Sequence, residues 1–199
     1  MMLVEETTVP LSALPVTQFK DHLRLGSGFA DDAIQDGMLE SFLRAAMAAI
    51  EARTGKILIE REFSWTLTLW RDCQSQALPV APVSAVIEMV MINNARDETV
   101  ADAGSYRLVP DMQRPRIEAV GGVLSPVPSG GSVRIGLLAG FGPDWADLPA
   151  DLGQAVLMLA AHFYEYRHEA ALGGGAMPYS VNALIERYRT VRVFGGGRR

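Results

Sequence analysis

Residues 148–165 read Leu148-Pro149-Ala150-Asp151-Leu152-Gly153-Gln154-Ala155-Val156-Leu157-Met158-Leu159-Ala160-Ala161-His162-Phe163-Tyr164-Glu165. Leu152, Ala155, Val156, Leu159, Ala160 and Phe163 recur at helical spacing and make one apolar stripe. Met158 and Tyr166 widen the stripe, so the helix is expected to be buried on more than one side. Asp147 or Leu148 is the predicted cap. Pro149 falls in the first turn, where a missing N–H costs little. The helix is predicted over 149–170, stopping before Gly173-Gly174-Gly175. Gly153 inside it costs about 1 kcal/mol against alanine, which points to close packing there.

Two more helices precede it. Thr17 is a candidate N-cap for a short helix over 17–25, ended by Gly26 and Gly28. Asp31 or Asp32 then caps a helix over 31–54. Its stripe is Ile34, Met38, Leu39, Phe42, Leu43, Ala46, Met47 and Ile50, and Gly55 closes it. Between this helix and Leu148 the period changes. Glu62-Phe63-Ser64-Trp65-Thr66-Leu67-Thr68-Leu69 alternates polar and apolar residues, the pattern of a half-buried strand. Val83–Ile92, Ser105–Val109, Arg116–Val120 and Ser132–Ala139 are further strand candidates, separated by proline and glycine. Residues 1–14 have no clear period and read as a loose arm. The predicted class is α+β: a mainly α-helical core of long amphipathic helices, a small antiparallel β insertion over 57–140, and a flexible C-terminal arm. Residues 1–178 would form one domain, and 179–199 a short helix with an interaction arm.

Composition narrows function by exclusion. Of 199 residues, 49% are hydrophobic and 21% charged, within the range of a globular domain with its own core. The single cysteine, Cys73, excludes an internal disulfide or a multi-thiolate metal site and fits a reducing compartment. Glu5 and Glu6 do not resemble a secretory leader, and an intracellular protein is expected. The uncharged run Leu152–Tyr164 falls well short of the roughly 20 apolar residues a membrane span needs. Net charge is −5 and uneven. Residues 1–60 carry −4, 61–148 carry −3 and 149–199 carry +2, whereas the last thirteen residues, with Arg187, Arg189, Arg192, Arg198 and Arg199 and no acid, carry +5. Bulk nucleic-acid affinity needs a basic footprint over the domain, which is lacking.

Catalytic signals are weak. His22, His162 and His168 are the only histidines. Glu165 and His168 share a helix face, but no HExxH motif or third ligand accompanies them, so helix-surface roles are expected. Neither a nucleophile elbow nor a phosphate loop is present. Cys73 has no histidine partner nearby in sequence. Trp65 is assigned to the core. Trp70 and Trp145 are possible binding anchors, Trp145 equally a cover for the core. No catalytic residue, metal or cofactor is therefore expected.

The C-terminal arm carries the sharper signal. A short helix near Val181–Tyr188, the strip Val191-Arg192-Val193-Phe194 and a basic tip bury little alone. The alternatives are a disordered tail and a segment that adds to a neighbouring subunit. On the second reading the partner interface is Tyr188, Arg189, Val191, Arg192, Val193 and Phe194, with the valines and phenylalanine giving apolar contact and the arginines charge pairing.

The order of elements resembles the head–tail connector (adaptor) family of tailed double-stranded-DNA phages and gene transfer agents, over nearly the whole chain. The opening Val16-Thr17-Gln18-Phe19-Lys20-Asp21-His22-Leu23-Arg24, the helix ending Ala48–Gly55, and Trp65–Leu69 with Tyr106–Leu108 are similar. So are the Leu148–Glu165 stretch and the close Ala183-Leu184-Ile185-Glu186-Arg187-Tyr188-Arg189. The resemblance implies a dodecameric ring that meets the portal on one side and a tail-side stopper or terminator protein on the other. It also implies DNA passing through the lumen without specific binding, no membrane and no enzymatic activity. The implied location is the host cytoplasm during assembly and then the head–tail interface of the particle. The alternative reading is a DNA-packaging or nucleic-acid-binding accessory factor that uses the Arg-rich C-terminal tail.

Overall fold

A computed structural model of the chain describes residues 2–24, 33–167 and 177–189. The apolar stripe of the quoted segment forms α3 (Ala150–Glu165), and Gly153 and Leu157 are buried along with it, so α3 is covered on more than one side. Pro149 is its N-cap residue, with no side-chain cap. Asp147 is used instead in a reciprocal capping box with Asp144 on the turn Trp145–Asp147. α1 (Val16–His22) starts from Pro15 rather than from a Thr17 cap. α2 (Ala33–Thr54) ends at Gly55, whose φ of +70° suits glycine. A last short helix, α4 (Tyr179–Ile185), runs into a single 3-10 turn, Glu186–Tyr188. The expected caps Asp31 and Asp32, the stops at Gly26 and Gly28, and the stretch from His168 to Gly175 lie outside the described residues.

Four helices and the segment Leu58–Ile59 share one core, in which Phe19, Leu39, Leu43, Ile50, Val156 and Ile185 are fully buried. A second core is built by strands. β2 (Arg61–Leu67) and β8 (Ser132–Ala139) each bury alternate residues, the period-2 pattern read from the sequence. With β1 (Met2–Glu5), β4 (Val83–Ile92) and β5 (Glu98–Val100) they form an antiparallel sheet in the order β1-β2-β8-β4-β5. β3 (Ser75–Ala77), β6 (Tyr106–Val109) and β7 (Arg116–Ala119) form a second sheet, β3-β7-β6. Phe63, Trp65, Ile135 and Leu137 from the first sheet and Ile117 from the second are buried in one cluster.

The expectation of a mainly helical core with a small β insertion is therefore corrected. Two antiparallel sheets carry a hydrophobic core of their own beside the helical one. Nor are the strands confined to 57–140. The supposed loose arm supplies β1, with Leu3 opposite Trp65, and then buries Val9, Ala13 and Leu14 in the helical core. Strands of three or four residues hold too few alternations to register as a period, and tertiary pairing creates them.

The space at Gly153 bears on stability. A Cβ placed there would meet the Trp145 ring at 3.5 Å, an ordinary contact rather than a clash. Gly153→Ala is expected to raise stability by up to about 1 kcal/mol through helix propensity alone. Thermal unfolding should show Tm rising by roughly 2–4 °C for a chain of this size.

Candidate subunit-docking surfaces

The close of the described chain is spent largely on the protein itself. Tyr188 is 5% exposed and packs in the helical core. Its hydroxyl donates to Asp151 Oδ1 at 2.7 Å, and its ring meets Phe141 edge-on at 6.3 Å. Burial first, then the hydrogen bond to Asp151, raises the Tyr188 pKa above the usual tyrosine value. The exposed Arg187 guanidinium lies 4.8 Å from the Tyr188 ring centre and reaches Asp151 Oδ2 at 3.4 Å. Arg189 pairs with Glu186 at 2.9 Å. Thus two of the six proposed interface residues are described, and Tyr188 positions the segment rather than presenting a free side chain. Val191, Arg192, Val193 and Phe194 lie outside the described residues. Tyr188→Phe should cost about 1 kcal/mol, the net worth of a typical hydrogen bond, read as a lowered urea midpoint with unchanged slope.

Two buried charge sites that the sequence reading did not find join the helical and strand cores. Glu51 on α2 accepts from the Leu58 N–H at 2.8 Å and from Arg61 Nη2 at 2.7 Å. Glu5 on β1 approaches Arg61 Nε at 3.4 Å, an ion contact without hydrogen-bond geometry. Lys56 is fully buried and its Nζ donates to Gln113 Oε1 at 2.8 Å. Burial lowers the Lys56 pKa, opposed by the charge of Asp111. The only sequence signal for these sites was a charged residue beside an apolar run.

Open surface of the kind a partner covers lies on the strand half. β1 and β5 are the two edges of the five-stranded sheet, and Met2 and Val100 are more than half exposed. At one end of the sheets, the segments after β2 and β7 enclose a groove of about 480 Å³ lined by Leu69, Trp70, Cys73, Val123, Leu124 and Val127. Leu69 and Val123 are 66% and 63% exposed. Trp70 is held by its indole N–H, which donates to the Ser125 carbonyl at 2.8 Å. Trp145 is instead partly buried against the helical core.

His162 lies beside Tyr166, with ring centres 4.7 Å apart and planes tilted by 44°. Among the described residues, no group of three or more His, Cys, Asp or Glu is placed to hold a metal ion. Among them too, no helix is long and apolar enough to cross a membrane.

No protein-family model and no curated protein matches the chain. Solved structures do. A chain in the neck of an empty gene transfer agent particle computed with C6 symmetry is 57% identical, with a TM-score of 0.89, covering 98% of this chain and 99% of that one. A chain in the virion of a native gene transfer agent particle is 57% identical, with a TM-score of 0.87 and the same coverage. A chain in the neck of a native particle computed with C12 symmetry is 54% identical, with a TM-score of 0.84, again over 98% and 99%.

Proposed function

The chain belongs to the head–tail connector family of phage-like gene transfer agents, and we propose that it is the subunit of a ring joining the portal to the tail and passing DNA through its lumen. The observation that carries this is end-to-end likeness to proteins of particle necks, one computed with twelvefold symmetry. A closed ring of twelve identical copies needs two different, complementary surfaces on each copy. The open sheet edges and the apolar groove are available for that. The role is structural rather than catalytic.

Charge supports the DNA path. Residues 1–148 sum to −4 and −3, or −7. Phosphate contacts need neutralising cations, so an acidic body lets DNA slide instead of holding it. The ring would meet the portal on one side and a stopper or terminator protein on the other, after assembly in the host cytoplasm. The basic arm favours a second reading, an accessory factor for DNA packaging that binds nucleic acid through its arginines. Deleting 191–199 would then abolish DNA retention while leaving ring contacts intact.

Electron microscopy of the purified protein, alone and mixed with portal, should show rings or a portal-bound oligomer. A strictly monomeric protein that ignores the portal would sink the connector reading. In the same assay Phe194→Asp should weaken docking while the Tm of the isolated subunit stays nearly unchanged. A large loss of subunit stability would place Phe194 in the protein's own core.

A further inference from the structure

The apolar groove has a definite address. Leu58 and Ile59 lie in the helical core and Phe141 packs against it, so the end of the sheet where Arg61 faces Ala139 abuts the helices. Leu67 faces Val133 at the opposite end, and Thr68, Leu69 and Trp70 follow Leu67 directly. The groove is therefore at the distal tip of the strand half. An adjoining hollow of about 360 Å³ is polar, lined by Asp72, Gln74, Ser75 and Glu118. Glu118 is already paired with Arg107 and Arg116, whereas the Asp72 carboxylate accepts only from the Gln74 N–H and the Ser75 hydroxyl among its described hydrogen bonds.

A segment with matching chemistry follows Arg189: three apolar side chains, Val191, Val193 and Phe194, interleaved with Arg192. The groove of its own copy lies far from where this strip starts. Tyr188 lies beside Phe141, at the helical end of the sheet. From Ala139 to Val133 the strand alone covers roughly 20 Å, before the further steps to Phe141 and Leu69. Fully extended, the chain from Arg189 reaches about 7 Å by Val191 and about 18 Å by Phe194. The backbone of the strip, at that reach, ends short of its own tip. A neighbour in a closed ring removes that limit.

We propose that the groove at Leu69, Trp70 and Val123 receives the Val191–Phe194 strip of an adjacent copy, with Arg192 facing Asp72. This contact would be one of the two complementary surfaces of the ring, and it rests on the connector reading. Burying Phe194 and the two valines supplies the apolar area that neither surface covers alone. The glycine run after Phe194 lets the basic tip continue past the groove.

Cys73 lines the groove and is the chain's only cysteine, which makes the test direct. Full-length protein carrying Phe194→Cys is incubated with oxidised glutathione, which takes up the two electrons and two protons of the paired thiols. Non-reducing electrophoresis should then show a ladder of disulfide-linked multimers, lost when Cys73→Ser is added. Val123→Asp should cut the ladder at least about tenfold, the cost of setting a charge in an apolar contact. Leu69→Asp gives a second, independent variant at the same groove. Rings seen by electron microscopy without a Cys73-dependent ladder would overturn this contact and leave the ring reading standing. A fast-migrating closed monomer would overturn it in favour of the copy's own arm. Absence of both rings and ladder would overturn both readings.

Discussion

Glu51→Ala should cost about 3–5 kcal/mol of folding stability, as expected when one member of a buried ion pair is removed. The Glu51 side chain is 13% exposed and that of Arg61 only 7%. Truncation strands the Arg61 charge, leaving Glu5 at 3.4 Å as its remaining ion contact among the described residues. It also removes the acceptor of the Leu58 N–H, on a residue that is fully buried. An orphaned buried donor costs a further share of that loss. The damage falls where the helical core meets the strand core, so both should loosen together in one cooperative urea transition. Replacing both partners by apolar residues, Glu51→Leu with Arg61→Met, should be much milder than Glu51→Ala, because no charge is left unpaired. Equal losses would mean that the pair is not what holds the junction.

The same site has a pH signature. Burial raises the Glu51 pKa above its ordinary 4.5, with Arg61 opposing the shift. The folded protein therefore holds this proton more tightly than the unfolded chain. The contribution is full below about 4.5 and is lost as pH rises through the raised folded value. Urea stability measured from pH 4 upward should carry a falling component in the wild type that Glu51→Gln lacks.

Legibility in the sequence followed length and period. α2, α3, β2 and β8 each hold enough repeats for a stripe or an alternation to stand out, and each forms where its pattern lies. β1, β3 and β5 hold three or four residues and have no period to read. The register with β2 and the other strands makes them, which is why the strand half was underestimated. The proposed docking segment was half legible. Its apolar and basic composition is visible in sequence, but the burial of Tyr188 against Phe141 and Asp151 depends on residues far away along the chain. Of the tip groove only Trp70 stood out in sequence, as a possible binding anchor. Leu69 reads as the end of the alternating strand and Val123 as a loop residue until β2 and β7 bring their segments together.

Trp65→Ala should be as damaging as Glu51→Ala, at about 3–5 kcal/mol, the usual cost of emptying a large aromatic site in a core. Trp65 is 2% exposed, pairs across β2 with Leu3 on one side and Ile135 on the other, and is among the largest fully buried side chains. Its indole Nε1 is buried and has no hydrogen-bond partner among the described residues. That separates two substitutions with opposite chemistry. Trp65→Phe keeps most of the apolar volume and removes an unsatisfied donor worth about 1–3 kcal/mol, so its cavity cost is partly offset. Chemical denaturation should place Trp65→Phe well above Trp65→Ala in stability. Similar losses for the two would show that the indole N–H is satisfied by water instead. Function should follow stability here, unlike at Phe194. Trp65 lies on the strand that leads directly to Leu69 and Trp70. Loosening that strand blurs the groove, so ring assembly by Trp65→Ala should fail together with the fold, whereas Phe194→Asp should lose docking from a subunit that still melts normally.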